Sequence, residues 1–485
     1  MLFAGRKDWY ADRARVLPQE ISMIPLVSRV TPAPASDRRP LTGAVVLWLG
    51  MLILAFACIA ISARNLPWTE EWMMVPPLTG HEPDLLKWLW EQFNEHRIPL
   101  AKGIYLILLK TSGGDFRIGM ITNALILGGL SLALIFAARD LRGHTRLADA
   151  FFPIVLVHPG YMLFFLFGFV IEFTIYTALV IGWLLIIVRE PWPLSTSNTI
   201  ISGIILVLLP MAGAQGVLFT PFVALWLAGG AFLFQHDTAG KWIFPFQCAC
   251  VTISLMTTGL YFVGYHSPSW EPAHAGVAST VVTGFRFVGM SLGRVGAGTG
   301  RVFPESIIGV AFCGIATLLW LSSLIPLWQG LRRIRRPEGS RFFGFLIFGA
   351  ATAALVLALA YGRAGWVPLY GMPDSYIAMS VPGLCAAYFA WLLYGPAITR
   401  NRIANAFAIA GLLALPFNVY HGLAMRVAHE DRMRVLEQDL VEGLSWREIA
   451  DGHWQILFPW DRNTLIEYAG MLHDAKIGPF GRAPP

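Results

Sequence analysis

Long apolar runs restrict the fold of this chain more than any other feature. Residues 41–63 and 118–138 form two of them, and each is long enough to cross a bilayer as a helix. Hydrocarbon offers no hydrogen-bond partners, so a segment that crosses it must satisfy its own backbone amides and carbonyls. The runs lack the strict alternation of a transmembrane strand. The sequence therefore predicts an all-α integral membrane protein with about eleven transmembrane helices.

The basic residues follow the ends of these runs. The chain has a net charge of +6, but in a membrane protein such residues set the orientation of the loops, and we predict no nucleic-acid partner. Residues 1–40 carry seven Lys and Arg, which is typical of a cytoplasmic basic tail and not of a cleaved signal peptide. The short loops assigned to the cytoplasm contain Arg139, Arg142, Arg146, Arg189, Lys241, Arg332, Arg333, Arg335, Arg336, Arg341, Arg400 and Arg402.

This orientation predicts a transmembrane domain over residues 41–422. It has a first external loop at residues 64–117 and a second at residues 266–304. Tight turns at residues 158–160 and 213–216 are predicted to join pairs of spans. The odd number of crossings places the N-terminus in the cytoplasm and the C-terminus outside.

Residues 423–485 are predicted to form a small extracytoplasmic helical domain. Two capping-box spacings mark helix starts there, because each pairs a hydroxyl with a glutamate three residues later. They are formed by Ser445 with Glu448 and by Thr464 with Glu467. The segment is too small for a large core of its own, so we expect it to rest on the bundle or the membrane.

The first external loop collects titratable groups close to the membrane. Glu70 and Glu71 follow the first span, and residues 94–102 add Glu, His, Arg and Lys. Residues 84–93 and 98–110 are predicted to form two helices lying at the membrane interface. In a chain that is only 14% charged, this concentration marks the place where chemistry is most expected.

These features resemble the GT-C superfamily of membrane glycosyltransferases. The likeness lies in a first outward span, an acidic pair directly beyond it and interfacial helices in the first external loop. Residues 96–102, His-Arg-Ile-Pro-Leu-Ala-Lys, are similar to the His-Pro-Pro-Leu-Gly-Lys segment of protein O-mannosyltransferases, with one extra residue after the histidine. The arrangement also resembles the aminoarabinose transferases that modify lipid A. The topology is similar over residues 41–422, whereas the Glu-Glu pair departs from the more usual Asp-Glu.

The resemblance implies a function on the external face of a bacterial cytoplasmic (inner) membrane. Enzymes of this superfamily move a sugar from a polyprenyl-phosphate donor to an external acceptor. For this chain the implied acceptor is a glycan, lipid or protein of the cell envelope, and membrane lipid is a further expected partner. The rival interpretation is a transporter or flippase that guides an anionic lipid or glycolipid.

Glycosyl transfer by inverting displacement needs a base for the acceptor hydroxyl. Glu70 and Glu71 are the catalytic candidates, and Glu70 is preferred because it comes first after the span, as in the family. The structural alternative is that Thr69 caps a helix whose positive end carries the two acids.

The leaving phosphate needs positive groups, and the resemblance implies phosphate or sugar contacts from a second part of the loop. These substrate-binding candidates are Glu95, His96, Arg97 and Lys102. The alternative is a solvated loop whose charges pair among themselves. A divalent ion bridging Glu70, Glu71 and His96 is left open, and no other cofactor is predicted.

Arg363 lies at the outer end of a span, on the side that basic residues avoid. Its guanidinium is a candidate clamp for the lipid phosphate, and the alternative is an arginine extended to phospholipid headgroups. Arg286 is a similar candidate in the second external loop, as are Arg294 and Arg301.

Two more substrate-binding candidates lie in or near the spans. Glu172 is well inside an apolar run, so it must face a cavity or be protonated. Its alternative role is a hydrogen bond between helices. His158, at the predicted Pro-Gly turn, either lines the same cavity or bonds locally.

Overall fold

The computed structural model describes residues 35–234, 242–269, 271–297, 307–331 and 338–484. Within these ranges the chain is helical and contains no strand, only an isolated bridge between Phe93 and His96. The helices are, in order, α1 (Ala35–Ser62), α2 (Val75–Thr79), α3 (Leu85–Trp90), α4 (Pro99–Thr111), α5 (Arg117–Arg142), α6 (Phe151–Leu156), α7 (Met162–Leu166), α8 (Ile171–Arg189), α9 (Thr196–Leu208), α10 (Ala214–Phe234), α11 (Ile243–Phe262), α12 (Gly276–Gly289), α13 (Ile307–Ser322), α14 (Leu324–Leu331), α15 (Glu338–Gly362), α16 (Val367–Tyr370), α17 (Tyr376–Tyr394), α18 (Ala397–Glu442), α19 (Trp446–Leu457) and α20 (Arg462–Asp474).

Ten stretches of the described chain are helical, long and apolar enough to cross a membrane. They are Pro40–Ser62, Arg117–Arg142, Leu147–Leu166, Gly168–Arg189, Ala214–Phe234, Ile243–Phe262, Ile307–Leu331, Gly339–Gly362, Tyr376–Tyr394 and Ala397–Glu442. The predicted run at residues 200–212 lies in a shorter apolar helical stretch, Thr196–Met211, which contains α9. The chain is thus a multi-pass membrane protein, and the predicted count of eleven depends on how this shorter stretch is placed.

The turn predicted at residues 158–160 is wrong. The span Leu147–Leu166 continues through this point by way of a 3-10 turn at Pro159–Tyr161. The His158 ring accepts a hydrogen bond from the Gly160 amide and so caps the turn. The span runs alongside α5 toward the α5 N-terminus, where Asn123 donates to the Phe164 carbonyl. The chain reverses at Phe167, and α8 then returns so that Arg189 approaches Asp140 to 3.7 Å. The turn predicted at residues 213–216 corresponds to the start of α10.

The first loop contains two of the expected helical regions. Asp84 caps α3 by accepting from the Lys87 amide at 3.0 Å, and the helix ends before a tight turn that pairs Phe93 with His96. The helix predicted over residues 84–93 is therefore shorter in the structure. The helix predicted over residues 98–110 corresponds to α4, which begins at Pro99.

The C-terminal segment packs on the first loop. Trp68 donates from its indole to the Ile456 carbonyl at 3.1 Å, and Trp72 packs edge-to-face on Phe480. Arg64 pairs with Glu437 of α18. We call this end of the bundle, which carries residues 64–117, the loop end.

The expected boundary at residue 423 falls inside α18, which continues to Glu442. The capping box of Ser445 and Glu448 is confirmed at the start of α19. The second predicted box is wrong, because α20 begins earlier, at Arg462. Asp461 caps it and also accepts from the Thr464 hydroxyl.

A buried polar cluster ties three elements together at the opposite end of the bundle. Asp149 accepts two hydrogen bonds from the Arg142 guanidinium, at 2.7 and 3.2 Å. It also accepts from the Arg146 amide at 2.7 Å and from the Tyr388 hydroxyl at 2.8 Å. Both carboxylate oxygens are therefore satisfied within the protein.

Candidate functional site

Two adjoining cavities lie near the loop end, each with a volume of about 230 Å³. The polar cavity is lined by Glu70, Asn94 and Glu172, and the apolar cavity by Leu218 and Leu355 with their apolar neighbours. Five residues line both: Glu95, His96, Phe173, Arg363 and Tyr376. The two spaces are therefore neighbours that share a charged boundary.

The two adjacent glutamates face different surroundings. They lie on the 3-10 helix Thr69–Met74, where successive side chains point about 120° apart. Glu70 is half-buried, lines the polar cavity and has no hydrogen bond or ion pair within the described chain. Glu71 is fully buried and lines neither cavity. Of the two glutamates, Glu70 alone reaches a cavity.

Three protein donors hold the Glu71 carboxylate. It accepts from the Tyr105 hydroxyl at 2.5 Å, the Gly168 amide at 2.9 Å and the Trp68 amide at 3.1 Å. A Cβ at Gly168 would lie 2.8 Å from Glu71 Oε1, so only glycine allows this close approach. Helix capping, the structural alternative for the acidic pair, is therefore the role of Glu71, whose side chain caps the 3-10 helix from within. Thr69 is not the cap.

The stability of the protein should fall as pH rises from about 5 to about 8 because of Glu71. Burial raises the pKa of Glu71 from 4.5 to about 8, against the three hydrogen bonds that lower it. In that window the folded protein retains a proton that the unfolded chain has released, so the free energy of unfolding decreases with pH. Above a pH of about 8 this loss is complete. Thermal unfolding of Glu71→Gln, which cannot ionise, should show a smaller pH-dependent fall in midpoint, and equal slopes would contradict this assignment.

Glu172 faces the polar cavity near the start of α8. Its exposed fraction is 8%, and it forms no hydrogen bond or ion pair with the described residues. The structure therefore does not show Glu172 in its alternative role, a hydrogen bond between helices. Glu70 and Glu172 are thus two carboxyl groups on one cavity that have no partner in the described part of the chain.

Arg363 lies on the boundary between the cavities. It forms an ion pair with Glu95, and its Nη1 lies 3.9 Å from Glu271. Its Nε donates to the Tyr376 hydroxyl at 2.8 Å. The guanidinium therefore points inward to protein acids and not outward to lipid headgroups.

His96 lines both cavities beside this ion pair. Its Nε2 lies 3.8 Å from Glu95 Oε1, and its buried Nδ1 has no partner in the described chain. Burial lowers the pKa of His96 to about 4, so the imidazole is neutral at pH 7. It offers a hydrogen-bonding group without charge.

Arg97 and Lys102 line neither cavity. Arg97 donates to the carbonyls of Trp90 and Val263, both at 2.8 Å. Lys102 donates to the Trp88 carbonyl at 3.0 Å and the Glu91 carbonyl at 3.2 Å, and burial lowers its pKa to about 8. The structure thus places both as residues that hold the loop, not as ligands of a substrate in these cavities.

The remaining candidates lie apart. His158 is fully buried and lines neither cavity, which fits its alternative role as a local hydrogen-bonding residue. Arg286 lies on α12 away from both cavities, and Arg294 pairs with Asp374. Arg301 lies outside the described residues.

Sequence reasoning missed the aromatic lining and one acid. Phe93, Phe167, Phe169, Phe173 and Tyr376 line the polar cavity. Phe167, Phe169 and Phe173 lie in sequence as apolar as that around packing residues, so no local signal separates them, whereas Phe93 and Tyr376 have polar neighbours. Glu271 carried a usable signal, since it is an acid in the second predicted external loop.

The divalent-ion alternative does not fit these positions, because the Glu71 carboxyl group is hydrogen-bonded to Tyr105, Gly168 and Trp68 and lines neither of the cavities that His96 lines. Among the residues that the structure describes, no group of three or more His, Cys, Asp and Glu side chains is arranged to hold a metal ion. No protein-family model matches this chain, and no curated protein and no solved structure is significantly similar to it.

Proposed function

We propose that this protein is a GT-C-type membrane glycosyltransferase that moves a sugar from a polyprenyl-phosphate donor to a cell-envelope acceptor. The observation that carries the proposal is the placement of an unpaired carboxylate, Glu70, and a guanidinium, Arg363, on the lining of the same cavity. An apolar cavity adjoins at Arg363. Base, phosphate ligand and lipid-compatible surface are the three parts that such a reaction needs.

In the proposed reaction Glu70 accepts the proton of the acceptor hydroxyl as its oxygen attacks the anomeric carbon of the sugar. The bond between that carbon and the phosphate oxygen breaks, and the polyprenyl phosphate leaves with the electron pair. A single displacement of this kind inverts the anomeric carbon, so the base and the phosphate ligand lie on opposite sides of the sugar.

The donor phosphate would bind Arg363 in competition with the acids already beside it. Guanidinium groups bind phosphate through paired hydrogen bonds. Displacing Glu95 frees Nη2 for this purpose, and Nη1 lies 3.9 Å from Glu271. Leu218, Leu355 and Leu359 line the apolar cavity on the other side of the boundary. They offer a surface for the first isoprene units of the donor.

The proposal places the site on the external side of a bacterial inner membrane, with the N-terminus in the cytoplasm. The positive-inside distribution of the short basic loops supports this orientation. The C-terminal segment is joined to the loop end by the ion pair of Arg64 with Glu437 and by the hydrogen bond from Trp68 to the Ile456 carbonyl. In this orientation the C-terminal segment and the loop end would both lie outside.

A transporter or flippase is the second candidate, favoured by the unpaired Glu172 inside a membrane-spanning helix. Purified protein in detergent distinguishes the two, because vectorial transport requires a sealed membrane and sugar transfer does not. We expect radiolabelled sugar to pass from a pool of bacterial lipid-linked donors to envelope extract. No transfer in detergent, together with lipid translocation in sealed vesicles, would favour the transporter.

Arg363→Ala should weaken donor binding, raising the apparent KM for the lipid-linked sugar by about tenfold to a hundredfold. The estimate corresponds to losing a charge-assisted hydrogen-bonded contact. Arg117→Ala is a matched control, since Arg117 also pairs with an acid at the loop end but lines neither cavity. An unchanged KM in Arg363→Ala would remove Arg363 from the phosphate site.

A further inference from the structure

Two carboxyl groups on the polar cavity have no hydrogen-bond or ion-pair partner among the described residues. Glu70 and Glu172 both face it without a partner, and Glu172 is more than nine-tenths buried. Buried carboxylates are costly unless they are paired or hydrogen-bonded. The cavity is therefore suited to a ligand that brings donors or positive charge.

The described basic residues around the cavity are already engaged. Arg363 is paired with Glu95, while Arg97 and Lys102 donate to backbone carbonyls. His96 is neutral at pH 7. Glu70 and Glu172 consequently meet no free cation among the residues that the structure describes.

Aromatic rings form much of the remaining wall. Phe93, Phe167, Phe169 and Phe173 line the polar cavity together with Tyr376. The face of an aromatic ring carries negative charge density and attracts cations, most strongly where water is excluded. Carboxylates and ring faces together are the chemistry that recognises organic ammonium groups.

We propose that the polar cavity binds a primary ammonium group of the substrate, which donates to Glu70 and Glu172 and packs against the phenylalanine rings. A primary ammonium has three N–H donors for the two carboxylates, whereas a quaternary ammonium has none. A divalent metal fits the walls less well, since Mg²⁺ and Ca²⁺ require about six to eight oxygen ligands and much of this wall is carbon.

This inference makes the substrate of the proposed function more specific. It rests on the proposed function only for the question of whether the sugar donor or the acceptor carries the amine. An amino sugar on the donor and an amine on the acceptor present the same chemistry to the cavity. The site itself is tested by binding, without any transfer reaction. Binding without transfer would refute the enzyme assignment and leave the amine site intact.

The first experiment compares glucosamine with N-acetylglucosamine by calorimetric titration of the purified protein at pH 6.5. The two sugars differ at one nitrogen, which is charged in the first and a neutral amide in the second. We expect glucosamine to bind about tenfold or more tightly, the effect of one charge-assisted contact. Equal affinities, or no detectable binding of either sugar, would overturn the proposal.

Variants locate the amine in the cavity. Glu172→Gln and Glu70→Gln should each reduce the preference for glucosamine by about tenfold. Glu91→Gln is the control, because Glu91 lies in the same loop as Glu70, is exposed and lines neither cavity. A preference that survives in both cavity variants, or that disappears in Glu91→Gln, would overturn the assignment. Circular dichroism and unfolding midpoints establish that each variant is folded.

A second pair of titrations identifies which substrate carries the amine. One arm compares undecaprenyl-phosphate-linked glucosamine with the corresponding glucose lipid. The other compares nanodiscs containing phosphatidylethanolamine with nanodiscs containing phosphatidylglycerol. Discrimination that depends on Glu172 in the first arm assigns the amine to the donor, and in the second arm to the acceptor. Discrimination in neither arm overturns the proposal.

Discussion

Glu70→Gln is expected to reduce the rate of sugar transfer by about 10²- to 10⁴-fold, the usual contribution of a positioned general base. Glutamine keeps the size of the side chain but cannot accept the proton of the acceptor hydroxyl. Glu70 is the member of the acidic pair that lines the polar cavity without a protein partner. The loss should appear in kcat at saturating donor and acceptor, because saturation overcomes any weaker binding of a substrate amine and leaves the missing proton acceptor as the difference.

Initial rates with labelled lipid-linked sugar, measured on folded protein in detergent, give the required comparison. Glu91→Gln removes the same charge from the same loop outside both cavities and should transfer sugar at the wild-type rate. A wild-type rate in Glu70→Gln would refute the base assignment. If folded Glu71→Gln lost transfer instead, the roles of the two glutamates would be reversed.

Much of the fold is predictable from hydrophobic runs, because a lipid-facing helix must be apolar along its whole length. The error at residues 158–160 has a local cause. Pro and Gly usually end a helix, but here the His158 ring satisfies the Gly160 amide and a 3-10 turn carries the span onward. The actual reversal at Phe167 is marked only by the single Gly168 within an apolar, aromatic run, which is a weaker turn signal than Pro159-Gly160.

The position of the candidate site is predictable, but the role of each side chain is not. A loop rich in acids and bases marks the region, since charges near a membrane require partners or water. Which glutamate faces the cavity depends on Tyr105 and Gly168, which lie 34 and 97 residues from Glu71. Sequence adjacency contains no information about those two donors.

The bases of the first loop show the same limit. The family resemblance implies phosphate or sugar contacts for Arg97 and Lys102, yet both are used to satisfy backbone carbonyls in a loop of short helices. Short helices leave many carbonyls without intrahelical donors, so a nearby base has a structural use that the sequence does not reveal. Arg363, from a distant span, takes the place beside Glu95.

Asp149→Ala is expected to destabilise the protein by about 3–5 kcal/mol, because it leaves the Arg142 charge buried without its partner. The Arg142 side chain is only 3% exposed, and Asp149 is fully buried. The substitution also removes the acceptor for the Arg146 amide and the Tyr388 hydroxyl. Unfolding in detergent, followed by denaturant titration, measures the loss.

A double variant separates loss of the ion pair from loss of packing. Asp149→Leu with Arg142→Leu removes both charges and should be more stable than Asp149→Leu alone, since no buried charge remains unpaired. Asp140→Ala is the control at the same end of the bundle, because its exposed contact with Arg189 at 3.7 Å should contribute only about 0–1 kcal/mol. A double variant as unstable as the single one would mean that the cluster acts through shape and hydrogen bonds to Tyr388, not through charge.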